Sequence, residues 1–130
     1  MAKKPVVSIV DDDPSVREAT VDLLKSMGFI AETFQCADDF LKSDRLRGTS
    51  CLISDVRMPG MTGFELHNHL VSSGTPVPTI LVTAFPNDTD RARAQRAGVF
   101  CYLTKPFKES ELLACLLLAL NSPNTSTRGG

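Results

Sequence analysis

Residues 6–14 read VVSIVDDDP, and this stretch decides the fold. Val6 to Val10 form a short strand that runs directly into three acids. Asp13-Pro14 then reads as a helix N-cap followed by proline at the first helical position. Beyond it, Val16, Ala19, Thr20, Leu23, Leu24 and Met27 recur at i, i+3, i+4 spacing, which is one face of a helix, and Gly28 is its natural stop. The stretch is therefore a strand, an acidic turn and a helix, the first half of a βαβ unit.

The same unit repeats outward along the chain. A second strand is expected over 29–34 (FIAETF), with a short helix over 37–43. Cys51, Leu52 and Ile53 make a continuous apolar run that ends at Asp55, the pattern of a buried parallel strand. Pro59, Gly60 and Gly63 punctuate a loop, and Phe64 to Val71 is helical. A fourth strand spans 79–83 (TILVT), and a polar, arginine-bearing helix runs over 87–97 and stops at Gly98. A fifth strand is expected over 99–103 and a last helix over 108–120. Five strands alternating with five helices imply an α/β fold, a doubly wound parallel sheet with helices on both faces. Residues 1–120 form one domain. The tail from 121 to 130 (NSPNTSTRGG) has the composition of a linker or a chain end.

The chain has 130 residues, of which 42% are hydrophobic and 22% charged, and a net charge of −1. That is an ordinary soluble globular domain, without the strongly basic surface by which a domain grips nucleic acid. No apolar run approaches the ~20 residues of a membrane span. A cytoplasmic location is expected. Cys36, Cys51, Cys101 and Cys115 form no CxxC pair and have no histidine at ligand spacing, so all four are expected to be free thiols in a reducing compartment. His67 and His69 do not share a helix face and are expected at the surface or its boundary.

In open parallel sheets, ligands sit outside the carboxyl ends of the strands. Strand one ends in Asp11-Asp12, strand three in Asp55, strand four in Thr83, and strand five leads to Lys105-Pro106. Three carboxylates, a hydroxyl and an ammonium thus converge on one edge. Carboxylates that close repel one another unless a cation joins them. Oxygen donors without a cluster of histidine or cysteine select Mg²⁺ over zinc. The chemistry that fits is phosphoryl transfer to a carboxylate, in which positioning and charge neutralisation matter most.

The segments IVDDDPSVR, LISDVRMPGMTG, ILVTAF and YLTKPF resemble the signature blocks of receiver domains from bacterial two-component response regulators. The resemblance covers roughly residues 5 to 120, with several blocks in order. Its flavour is that of FixJ/NarL-type regulators, in which a receiver precedes a helix-turn-helix domain. It implies a flavodoxin-like sheet in the order 2-1-3-4-5 and a signalling role rather than an enzyme's. Asp55 would accept phosphate from a sensor histidine kinase. Asp12 would ligate Mg²⁺ directly, Asp11 chiefly through a metal-bound water, and the Arg57 backbone carbonyl would add a ligand. Thr83 would bind the phosphoryl group, Lys105 would pair with it, and Tyr102 would be the aromatic switch. The Lys105-Pro106 bond would be cis. A bulky Phe85 is expected to hinder attacking water and slow the loss of phosphate, and Pro86 to stiffen the loop before the fourth helix.

The face formed by the fourth helix, fifth strand and fifth helix is where a rearrangement at Thr83 and Lys105 would reach a partner. In the last helix Leu112, Leu113, Leu116, Leu117 and Leu120 make an apolar stripe, extended by Ala114, Cys115 and Leu118, more than a monomer's surface helix needs. A homodimer contact or a docked effector domain would use the excess, and Arg91, Arg93 and Arg96 could make charged contacts across a dimer. DNA would be reached only through a C-terminal effector domain. Two rivals are a Mg²⁺-dependent phosphohydrolase, which would want an acid where Arg57 stands, and a receiver that serves only as an interaction module.

Overall fold

A computed structural model describes residues 4–121, in the order β1 (Val6–Val10), α1 (Pro14–Ser26), β2 (Ile30–Phe34), α2 (Ala37–Lys42), a 3-10 turn (Leu46–Gly48), β3 (Cys51–Asp55), α3 (Gly63–Ser72), β4 (Thr79–Thr83), α4 (Asp88–Ala97), β5 (Cys101–Thr104) and α5 (Glu109–Asn121). All strand pairs are parallel, and the sheet order is β2-β1-β3-β4-β5. The fold is the expected one. Residues 122–130 of the tail lie outside the described residues, and α5 runs through Asn121.

Side chains alternate across the strands and so build two cores. Val7, Ile9, Cys51, Ile53, Ile80 and Val82 face α1 and α5, where Leu24, Leu112 and Leu116 close the layer. Val10 and Leu52 face α2 and α3, packing on Phe40, Leu66 and Leu70. Leu81 completes this side with Phe64 and Ala94, from α3 and α4. Each large aliphatic side chain buried in this way contributes about 1.5–3 kcal/mol.

Local chemistry sets the helix ends. Asp13 caps α1 by accepting from the Ser15 and Val16 N–H groups. Thr62 and Glu65 form a reciprocal capping box on α3. Asn87 caps α4, so the helix proper starts one residue later than the polar run suggests. Gly98 ends it at φ +82°, and the Val99 N–H folds back on the Ala94 carbonyl. Residue 99 is thereby used to close the helix, and β5 begins at Cys101 rather than Val99.

Three expectations are corrected. First, Cys101 and Cys115 are not free: their sulfurs are joined as a disulfide, with the Cα atoms 6.1 Å apart. The strand, turn and helix between them bring together two residues that spacing rules for adjacent cysteines do not connect. Cys36 and Cys51 remain free. Second, His67 is buried. Its Nε2 lies 2.9 Å from the Ala97 carbonyl and its Nδ1 3.2 Å from Thr79 Oγ1, so it pins α3 to the start of β4 and the end of α4. His69 is exposed, as expected. Third, the buried face of α5 is Leu112, Cys115, Leu116 and Ala119, while Leu117 and Leu118 are exposed.

Gly63 opens α3 hard against the end of β3. A Cβ there would lie 2.6 Å from the Asp55 carbonyl oxygen and 2.9 Å from Leu81 Cδ2. The first of these is backbone and cannot swing aside. Gly63→Ala is therefore expected to destabilise the domain by about 1–3 kcal/mol in urea unfolding. An unchanged midpoint would show that the junction yields freely.

Candidate functional site

The sheet order reverses direction between β1 and β3, and the crevice at such a point opens outside the carboxyl ends of the strands. Val10 is paired with Ser54, so the residues that follow them in register, Asp11 and Asp55, stand side by side. One carboxylate oxygen from each of Asp11, Asp12 and Asp55 lies within 4.8 Å of the other two. Asp11 and Asp55 are buried, and Asp12 is exposed.

Lys105 reaches this cluster from beyond β5, across the end of β4. Its Nζ lies 2.8 Å from Asp11 Oδ2 and 3.5 Å from Asp55 Oδ1. The other Asp11 oxygen accepts from the Asp13 N–H at 2.9 Å, and Arg17 Nη1 donates to the Asp11 carbonyl. The Lys105-Pro106 bond is cis.

Burial raises the pKa of Asp55 above the usual carboxylate range. The negative charge of Asp11 adds to the rise, and Lys105 and the Arg57 backbone N–H only partly oppose it. For Lys105, burial works against the charged form, but the hydrogen bond and charge of Asp11, with Asp55 behind it, outweigh that and raise its pKa. The pocket thus holds its ammonium firmly and its Asp55 carboxylate under stress.

Thr83 ends β4, buried, and its hydroxyl oxygen accepts the Phe85 N–H at 3.0 Å, leaving the hydroxyl proton available. Tyr102 is half-buried. Its hydroxyl accepts from the Asn87 N–H at 3.4 Å, and the Arg91 guanidinium lies 4.9 Å above its ring. Phe85 is 70% exposed, so in this state its ring stands largely in solvent.

Asp11, Asp12, Asp55 and Lys105 are therefore gathered in one place, with Thr83 at the adjoining strand end. Tyr102 belongs to the neighbouring α4–β5 region. Sequence reasoning missed two polar ties. Arg57 Nη2 bonds Asp90 Oδ2 at 3.1 Å, linking the loop after β3 to the first turn of α4, and Asn87 Nδ2 shares the same oxygen. The partners are 33 residues apart, and no local pattern marks them. Arg91 and Arg93, read from the sequence as either dimer contacts or a solvated face, lie over the Tyr102 and Phe64 rings.

The response regulator receiver domain family matches residues 7–117. The chain belongs to that family. It is 37% identical over 115 residues to the response regulator protein TodT of Pseudomonas putida, covering 88% of this chain and 51% of TodT. It is 32% identical to the transcriptional regulatory protein FixJ of Bradyrhizobium diazoefficiens, covering 98% of this chain and 62% of FixJ. The receiver thus spans about half to two thirds of the length of these relatives. Among solved structures it is similar to the response regulator StyR, with a TM-score of 0.85 and 42% identity over 97% of this chain and 63% of that one. It is also similar to FixJ-N, with a TM-score of 0.82 and 27% identity over 94% of this chain and 98% of that one. Like those proteins, it is a two-component receiver domain. No helix among the described residues is long and apolar enough to cross a membrane.

The raised pKa of Asp55 sets a sign. A carboxyl that holds its proton more tightly when folded makes the fold less stable as pH rises from its unfolded value to its folded one. In metal-free protein, Asp55→Asn is therefore expected to raise Tm above that pH window and leave it unchanged below. Mg²⁺ at a hundredfold excess over its Kd should stabilise wild type by about 2.7 kcal/mol and the variant by less. Calorimetry in chelator and in Mg²⁺ checks both. Equal Mg²⁺ effects on the two proteins would remove Asp55 from the metal site.

Proposed function

We propose that this receiver takes a phosphoryl group from a sensor histidine kinase onto Asp55 with Mg²⁺ bound, and passes the change to the face formed by α4, β5 and α5. The observation that carries the reading is the convergence of Asp11, Asp12 and Asp55 within 4.8 Å, with Lys105 Nζ against two of them. The donor set is all oxygen, and Asp55, one of its two buried members, is under charge stress. This fits a hard divalent cation. Asp11, Asp12, Asp55 and the Arg57 carbonyl would hold Mg²⁺, and the chemistry it supplies when bound is charge neutralisation at phosphoryl oxygens.

In the transfer, the phosphorus–nitrogen bond of a phosphohistidine breaks and a bond from phosphorus to an Asp55 oxygen forms. Lys105 balances the charge that arrives. The Thr83 hydroxyl, at the neighbouring strand end, turns its free proton toward the new phosphoryl oxygens. Tyr102 then turns inward, which breaks its contacts with Asn87 and Arg91 and frees the first turns of α4. The outputs are homodimerisation or control of an attached DNA-binding domain; two relatives, TdiR and FixJ, are named as transcriptional regulatory proteins, which supports a transcriptional output. The setting is the cytoplasm, where such kinases act on their regulators.

The deciding experiment is intact mass after incubation with acetyl phosphate. Wild type should gain one phosphoryl group with Mg²⁺ present, and none without Mg²⁺ or in Asp55→Asn. No gain in folded wild type would reassign the domain as an interaction module. The switch has its own readout, because the chain contains one tyrosine and no tryptophan, so intrinsic emission reports Tyr102 alone. Phosphorylation should change that emission in wild type and leave Thr83→Ala close to its resting value. Phe85→Ala should shorten the phosphoryl lifetime, and a wild-type half-life of only seconds would contradict a shielding role for Phe85.

A further inference from the structure

Two of the four cysteines serve nothing derived so far. Cys101 opens β5 and Cys115 sits in the middle of α5. Their Cα atoms are 6.1 Å apart, inside the range a disulfide spans without moving backbone. Cys101 is half-buried, and Cys115 is buried at 6% exposure against Leu112, Leu116 and Ala119. Their chain neighbours Phe100 and Ala114 line an open apolar groove with Leu117 and Leu118, although neither sulfur lines it, and the half-buried Cys101 is the more accessible of the two. The remaining thiols differ: Cys36 has no partner sulfur among the described residues, and burial pushes the Cys51 thiol up to about 12, which leaves it inert.

We propose that Cys101 and Cys115 form a reversible thiol–disulfide couple, a redox site that clasps β5 to α5 beside Tyr102. Disulfides that form in a reducing compartment are typically transient and sensing. The co-reactant is a low-molecular-weight disulfide, and exchange proceeds through a mixed disulfide. The half-buried Cys101, as thiolate, attacks one sulfur of the small disulfide. The bond between its two sulfurs breaks, and one small thiol leaves with the proton Cys101 gave up. The Cys115 thiolate then attacks the Cys101 sulfur and displaces the second small thiol, which takes the proton from Cys115. Two protein thiols are oxidised to one disulfide, and one small disulfide is reduced to two thiols. Excess small thiol reverses both steps.

The clasp ties β5, the strand that carries Tyr102, to α5 on the opposite face of the sheet from the α4 side on which Tyr102 packs. In the closed form β5 is tied to α5, and Tyr102 is the next residue after Cys101. The oxidised receiver still takes phosphate on Asp55, which lies on β3, but Tyr102 no longer responds. The reversibility of the clasp rests on the cytoplasmic setting proposed above, and this last consequence rests also on the phosphorylation reading.

The test equilibrates the folded 130-residue chain across ratios of reduced to oxidised glutathione, alkylates remaining thiols in denaturant, and reads intact mass and peptide maps. Oxidising ratios are expected to remove two alkylatable thiols and join the Cys101 and Cys115 peptides, and reducing ratios to restore all four. Cys115→Ser should stop at a glutathione adduct on Cys101. Four alkylated thiols at every ratio, or a link through Cys36 or Cys51, overturns the couple. Acetyl phosphate is then added to both forms. Equal phosphoryl uptake, with the Tyr102 emission change lost only in the oxidised form, supports the clasp as a brake. An equal emission change in both forms overturns the brake, and absent uptake in the reduced form overturns the phosphorylation reading while leaving the thiol count intact.

Discussion

Lys105 Nζ stands 2.8 Å from Asp11 and 3.5 Å from Asp55, and most of the molecule is arranged around those distances. Two like charges 4 Å apart near a protein surface repel by about 4 kcal/mol, and Asp11 and Asp55 are brought close by the register of β1 and β3. That register is set by the alternation of Val7, Ile9, Cys51 and Ile53 into one core and Val10 and Leu52 into the other. The sheet thus forces two acids together, and the lysine from beyond β5 makes the arrangement tolerable. Removing either acid would leave the ammonium underused; removing the ammonium would leave two buried acids facing each other.

The ties around this cluster are unequal. α3 buries Phe64, Leu66, His67 and Leu70, whereas the only buried side chain of α4 is Ala94. α4 is held instead by polar and stacking contacts: Arg57 to Asp90, Asn87 to Tyr102, Arg91 over the Tyr102 ring, and His67 on the Ala97 carbonyl. Elements with little buried apolar surface open at lower free energy than the core. Three of these four contacts meet at the N-terminal half of α4, and the fourth anchors its end. α4 is therefore the helix whose hold on the domain depends most on polar contacts, whereas α3 is held by its buried side chains.

The residues that converge on the edge were legible in the sequence because each terminates an apolar run. Val6 to Val10 before Asp11, Cys51 to Ile53 before Asp55 and Thr79 to Thr83 are short-range patterns, and parallel topology carries them to one place. What stayed hidden depends on contacts between distant segments. Cys101 and Cys115 meet across a strand, turn and helix. His67 reads as a polar helix residue until α4's end is seen to close over it. The start of β5 was misplaced because Val99 looks like strand but is recruited by the Gly98 helix stop. Leu117 and Cys115 exchange roles on α5 for a similar reason: an almost wholly apolar helix carries little information about which side the sheet covers.

The charge count in the cluster bears on why phosphoryl transfer there would need a metal. Three acids face one ammonium, so the resting site already holds two negative charges in excess, and Lys105 is committed to Asp11 at 2.8 Å. A phosphoryl group brings about −1.5 to −2 to a side chain whose single charge is already disfavoured by burial and by Asp11. The same ammonium cannot neutralise both Asp11 and the incoming oxygens. Asp11, Asp12 and Asp55 would hold a divalent cation, whose charge would offset the resting excess and leave Lys105 free to pair with the phosphoryl group. The two groups that would respond to a phosphoryl group, Lys105 beyond β5 and Thr83 at the end of β4, both lie at the β4–β5 side of the site. On that side α4 buries only Ala94 and is tied at its N-terminal half by Arg57 to Asp90 and by the contacts of Asn87 and Arg91 with Tyr102.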